Sequence, residues 1–182
     1  SDTEFKVELP TESDTAAILF TSGTTGKPKG VELTHRNFVS CCYIAQTNLI
    51  ISEKDVFYAL LPLHHSYTMQ AVLIEGLSVG SEIVFGKSVA VSKMLSELKQ
   101  GQITMFLGVP LLFNKLLSGV LKGIRKKGLF VYGIIRGLMG ISYFITKVFH
   151  HNPGKKMFKF ILKPAGLTSV RIAISGGGPL AG

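Results

Sequence analysis

Residues 21–30 read TSGTTGKPKG: four hydroxyl side chains, three glycines and two lysines in ten positions, directly after the apolar run AAILF. That density of small, polar and cationic groups suits a loop that holds phosphate. Gly23 and Gly26 let backbone N–H groups approach anionic oxygens, and Thr21, Ser22, Thr24 and Thr25 donate hydroxyls. Lys27 and Lys29 supply charge. The spacing is not that of the Gly-x-x-x-x-Gly-Lys-Ser/Thr loop. Two residues separate Gly23 from Gly26, and Pro28 follows Lys27 where that loop needs a magnesium-binding hydroxyl.

Two further stretches could carry chemistry. LPLHHSYTM (61–69) holds the pair His64 and His65 and, close by, Tyr67; RIAISGGGPL (171–180) runs from an apolar strand pattern into Gly176, Gly177 and Gly178. A histidine pair alone is more often structural, and a Gly-rich turn alone is often only a turn.

Taken together, these stretches resemble the AMP-forming adenylating enzymes: acyl-CoA synthetases, luciferases and peptide-synthetase adenylation domains. ILFTSGTTGKPKG (18–30) is similar along its whole length to that family's phosphate loop. The resemblance implies that Thr21, Ser22, Gly23, Thr24, Thr25, Gly26 and Lys29 hold the phosphates of ATP, with Lys27 on a variable position. It implies that His65 lies beside the reacting carboxylate and the α-phosphate, orienting the acid or gating its tunnel, so that Lys29 and His65 are the catalytic candidates. Tyr67 would line the acyl site, and Gly176, Gly177 and Gly178 would lie along the adenine ring. LPLHHSYTM followed by ITMFLGVPLLFNKLL (103–117) most resembles bacterial long-chain fatty acid–CoA ligases. ATP, Mg2+ and coenzyme A are then the implied cofactors and co-substrates, and a fatty acid the implied substrate. An acyl-carrier-protein ligase or another adenylating enzyme is the near alternative. A membrane-interaction module with a vestigial nucleotide site is the distant one.

The family's magnesium-associated Glu, its ribose-binding Asp and its C-terminal catalytic lysine have no counterpart in this sequence, and no metal-ligand set is assigned within it. The resemblance therefore implies a piece of the large N-terminal domain, inactive by itself, with those parts beyond Gly182. Residues 1–13, polar and acidic, read as a linker, and residues 14–182 as a partial ATP/AMP-binding domain.

These candidates need elements to position them. AILFT (17–21), VFYALL (56–61), EIVFG (82–86), ITMFLG (103–108) and VRIAIS (170–175) read as strands. Several are apolar on both faces, as in a buried, largely parallel sheet. Thr34 suits the N-cap of a helix running to about Ile50, Gly101 the stop of a helix over 90–100, and Pro110 the first turn of another. The fold class is α/β, a layered and largely parallel sheet flanked by helices. At 46% apolar and 17% charged residues, the chain is not a disordered one.

Residues 111–163 read as a basic and almost continuous helix. GLFVYGIIRGLMGISYFITKVF (128–149) is long enough to span a membrane, but Arg136 at its middle and Lys147 near its end favour an interfacial or packed helix. All eleven carboxylates lie in residues 1–97, which carry a net charge of −4, whereas residues 98–182 hold thirteen Lys or Arg and no acid. That basic half suits an acidic neighbour or an anionic membrane, with Lys155, Lys156, Lys159 and Lys163 on one helical face. Its long aliphatic runs carry no nucleic-acid-binding motif. Truncated sheet edges suit self-association into a homo-oligomer. The adjacent Cys41 and Cys42 read as fillers of core or surface. The expected location is the cytoplasm, peripheral at the inner face of the membrane.

Overall fold

In the computed structural model, which describes residues 8–21 and 27–178, Thr15–Thr21 forms strand β1 and Lys29–Thr34 strand β2. They pair antiparallel with Thr21 opposite Lys29, so the phosphate-loop sequence joins the two strands of a hairpin. Two expectations change here. AILFT does not enter the parallel sheet, and GVELT, not read as a strand, is its partner. Gly30 makes the pairing close, since a Cβ there would sit 3.0 Å from the Ile18 side chain.

Helix α1 (His35–Leu49) begins where the sequence places it. Thr34 Oγ1 accepts from the Asn37 N–H, and Asn37 Oδ1 accepts from the Thr34 N–H, a reciprocal box that satisfies two terminal donors. Two more are met by carbonyls from upstream: His35 donates to Asp14 O at 3.2 Å and Arg36 to Glu12 O at 2.9 Å.

The remaining strands, β3 (Val56–Ala59), β4 (Glu82–Phe85), β5 (Met105–Gly108) and β6 (Ile172–Ser175), form a parallel sheet in the order β4-β3-β5-β6. Alternation along its strands builds two cores. Tyr58 and Phe106 point to one face, packing with Met94, Leu98, Leu112 and Leu116 of helices α4 (Val91–Gln100) and α5 (Pro110–Arg125). Phe57, Ala59, Met105 and Leu107 point to the other, against Val72. Burying either Phe57 or Phe106 contributes roughly 1.5–3 kcal/mol. Val72 lies in a helical stretch that the sequence reading did not anticipate: α2 (Ser66–Thr68), a π-helical turn (Met69–Ile74) and α3 (Glu75–Ser78).

Opposite the ends that carry the motifs, one carboxylate ties three strands together. Asp55, 5% exposed just before β3, accepts from Arg171 Nη2 at 2.8 Å, from Arg171 Nε at 3.2 Å and from Thr104 Oγ1 at 2.7 Å. Ser52 N–H adds a fourth donor at 3.0 Å. Burial pushes this carboxyl up, but the Thr104, Arg171 and Ser52 donors outweigh it and hold the group below the usual carboxylate range. Its stabilising contribution is thus present above the unfolded value of about 3.9 and is lost as pH falls through the lower folded value. Arg171→Ala is expected to cost roughly 2 kcal/mol, less than a fully buried pair because the guanidinium is 41% exposed. It should also move acid unfolding to higher pH. Urea midpoints at pH 7 and pH 4 check both, and an unchanged midpoint at pH 7 would refute the strap.

The basic segment is not one helix. It divides into α5, α6 (Leu129–Phe149), α7 (Gly154–Met157) and α8 (Lys159–Leu162), with breaks at Gly128, at His150–Pro153 and at Phe158. Gly128 takes φ +124° and His150 φ +52°, both outside helical space. Lys155 lies on α7, Lys159 on α8, and Lys163 past the end of α8, so no single helical face carries these lysines. Lys155 Nζ donates to Val170 O at 3.0 Å.

Candidate functional site

The chain runs from β3 outward to β4 and then back across to β5, so the strand order reverses between β3 and β5. In open parallel sheets the crevice outside the carboxyl ends at such a reversal is where ligands bind. Two of the three motif stretches emerge there. His64, His65 and Tyr67 follow β3, and Gly176, Gly177 and Gly178 follow β6, with the end of β5 between them. The Gly176 N–H donates to Gly108 O at 3.0 Å, which continues the β5–β6 ladder one residue past the strands.

Tyr67 joins the two stretches. Its hydroxyl donates to Ile174 O at 3.2 Å, and its ring lies against Gly176, where a Cβ would fall 2.8 Å from Cζ. Burial pushes the phenol up, which keeps it a donor at neutral pH. Gly177 has φ +76°, a conformation that favours glycine, and a Cβ there would lie 3.6 Å from Val109. A Cβ on Gly178 would lie 3.8 Å from Pro110. The glycine turn therefore sits over the β5–α5 junction with Tyr67 at its side.

His65 is exposed and stands just before α2, at its N-cap position; its N–H donates to Pro62 O at 3.3 Å and its carbonyl accepts from the Met69 N–H at 2.9 Å. The His64 and His65 rings lie 4.3 Å apart, tilted by 45°. Backbone bonds thus hold the loop while both imidazoles stay open to solvent. At the hairpin, Thr21 and Lys29 face each other at the base of the loop, both exposed, with Thr21 Oγ1 3.5 Å from Lys29 O. Lys27 is exposed, two residues before β2 begins. Ser22, Gly23, Thr24, Thr25 and Gly26 lie outside the described residues.

A groove of about 420 Å³ connects hairpin and site. Leu33, Asn37, Phe38 and Cys41 line one wall; Ser66, Tyr67, Met69, Gln70 and Ala71 line the other. Gln70 braces it, its Nε2 3.4 Å from Phe38 O and 3.2 Å from Cys42 Sγ. The π-turn that carries Gln70 is a form often found at functional sites. Sequence reasoning missed Asn37, Phe38 and Gln70 here, and took Cys41 for filler. The i, i+1, i+4 spacing of Asn37, Phe38 and Cys41 marks one side of α1, but no local signal shows what that side meets. Cys42 does fill core. A separate apolar groove of about 360 Å³ runs between α5, α6 and the α7–α8 segment, and none of its lining residues belongs to the three motifs.

Among the described residues, no three His, Cys, Asp or Glu side chains come together as a metal site.

Fatty acyl-CoA synthetase B of Dictyostelium discoideum is 32% identical over 177 residues, 94% of this chain and 26% of that protein. A 4-coumarate–CoA ligase of rice is 39% identical over 103 residues, 53% of this chain and 18% of that protein. Among solved structures, ATP-bound MatB from Rhodopseudomonas palustris matches at 30% identity and a TM-score of 0.54, over 59% of this chain and 21% of that one. The apo form of the same protein matches with a TM-score of 0.65 over 97% of this chain and 26% of that one, at 22% identity, a likeness of fold. The chain spans about a quarter or less of the length of these relatives. The AMP-binding enzyme family matches residues 1–182 throughout, and the chain belongs to that family.

Proposed function

We propose that the protein to which this chain belongs is an ATP-dependent, AMP-forming acid–thiol ligase acting on long-chain fatty acids. The carboxylate attacks the α-phosphorus of ATP in line; a carboxylate oxygen–phosphorus bond forms, the bond to the β-phosphate bridge breaks, and pyrophosphate leaves with that bond's electrons. The thiol of coenzyme A then displaces AMP from the acyl carbon. In this reading Thr21, the adjoining loop residues and Lys29 stabilise charge on the departing phosphates. His65 orients the acid, and the turn at Gly176, Gly177 and Gly178 receives the adenine. Magnesium would be held by residues elsewhere in the protein.

The observation that carries the reading is the position of Tyr67, with the apolar groove on one side and Gly176 against its ring. An acid lying in the groove would reach the nucleotide turn at that residue. Match length favours a long acyl chain over an aryl acid: 177 residues with the fatty acyl relative against 103 with the coumarate ligase. The higher identity of the latter, 39% against 32%, favours the aryl reading, and a carrier protein could replace coenzyme A as acceptor. The proposed location is the cytoplasm, one compartment that supplies both ATP and coenzyme A.

The test is pyrophosphate release by the intact protein with palmitate or 4-coumarate, and acyl transfer to coenzyme A or to a carrier protein. Palmitate is expected to be preferred by at least about tenfold in kcat/KM, the scale of a few methylenes in an apolar pocket. A preference for coumarate would overturn the chain-length reading, and no release with any acid would overturn the ligase reading. The 182-residue segment alone is expected to give no turnover with ATP, magnesium, palmitate and coenzyme A.

A further inference from the structure

We infer that α6 docks in the plane of an anionic lipid surface through a ridge it turns outward. Successive residues of a helix advance by about 100°, which sorts α6 into three stripes. Ile135, Leu138, Met139, Ser142 and Ile145 face inward, Ile135 and Ser142 buried. Phe130, Ile134, Ile141, Phe144 and Val148 form a second stripe, every one exposed, Phe130 at 82% and Phe144 at 61%. Arg136, Tyr143 and Lys147 form a third, also exposed, and Gly133, Gly137 and Gly140 lie between the second and third. An ordinary surface helix has an inward apolar stripe and a polar remainder. This one has two apolar stripes, and the outer one has no cover among the described residues.

Charge selects the occupant. Arg125, Lys126 and Lys127 lie just before α6, all exposed, and residues 98–182 contain no Asp or Glu. Aromatic and aliphatic side chains beside a one-sided cationic stripe match an acyl boundary beneath anionic headgroups. By length and composition α6 could instead cross a membrane. Arg136 at its centre and the buried contacts of Ile135 and Ser142 favour the in-plane position, where Arg136 and Lys147 extend to the headgroups. This inference stands apart from the substrate reading, and its assay needs neither ATP nor an acid.

Co-sedimentation of the intact protein with phosphatidylcholine vesicles, with and without phosphatidylglycerol, tests it. Binding is expected only with phosphatidylglycerol and should weaken as salt rises. Phe130→Ser with Phe144→Ser should lower partitioning about tenfold or more while leaving the unfolding midpoint unchanged, since both side chains are exposed. Equal binding to neutral vesicles, or none to either, would overturn the inference, as would resistance to alkaline carbonate extraction, which signals a spanning helix. A cysteine introduced by Phe144→Cys should react with maleimide in solution and be protected by anionic vesicles. If it is already unreactive without vesicles, another part of the chain or a second copy covers the ridge, and the lipid assignment fails.

Discussion

Lys29→Ala in the intact protein is expected to slow acyl-adenylate formation by about 10- to 100-fold, the loss of one charge-assisted hydrogen bond to phosphate. The geometry makes this a clean probe. Lys29 begins β2, its main chain pairs with Thr21, and its side chain is exposed, so removing the ammonium leaves the hairpin ladder intact. The unfolding midpoint should therefore shift by no more than about 0.5 kcal/mol. Lys27→Ala, on a position outside the pairing, should have the smaller effect on rate. ATP–pyrophosphate exchange at the wild-type rate in Lys29→Ala would end the assignment of this lysine to phosphate.

Gly176→Ala is the second large effect, and it tests packing more than charge. The new methyl would fall 2.8 Å from Tyr67 Cζ and 2.9 Å from Cε2, inside the ring's van der Waals surface. Tyr67 has little room to withdraw, because its hydroxyl is held by Ile174 O and its ring packs on the core of Phe57 and Leu107. Overpacking of this kind costs about 1–3 kcal/mol. Either the ring or the glycine turn must move, so the KM for ATP should rise about tenfold along with the loss of stability. Tyr67→Leu on the Gly176→Ala background should recover stability, since a smaller side chain vacates the overlap. If Gly176→Ala alone leaves both the unfolding midpoint and the KM unchanged, Tyr67 does not pack on this turn.

Much of the local structure was legible. Thr34 before α1, and Pro110 at the start of α5, are helix-boundary signals written in residue type, and both mark real boundaries. VFYA, EIVF, MFLG and IAIS are strands because β-branched and aromatic runs of that length fit a pleated, buried sheet. The helical stretch after His65 was hidden, because SYTMQAVLIEGLS has no N-cap hydrogen bond and adopts a π-turn, which breaks the 3.6-residue period that a helix signal rests on. The hairpin was hidden for another reason: a Gly- and Pro-containing stretch of sequence separates its strands, and β2 is exposed over most of its length, so it lacks a buried apolar face to signal it.

Residue order alone determined the family motifs, the α/β class and the split between an acidic first part and a wholly basic second part, because each is a property of types and spacing along the chain. Tertiary structure alone decided which faces meet. Tyr67 touches Gly176 across more than a hundred residues because β3 and β6 flank β5, and the path of the crossovers sets that order. The groove between Phe38 and Tyr67 exists because α1 packs beside the π-turn, a contact no period encodes. The same holds for α6. Its sequence marks three stripes, but an apolar stripe records only that burial would be favourable; packing covers one of them and leaves the row from Phe130 to Val148 facing outward.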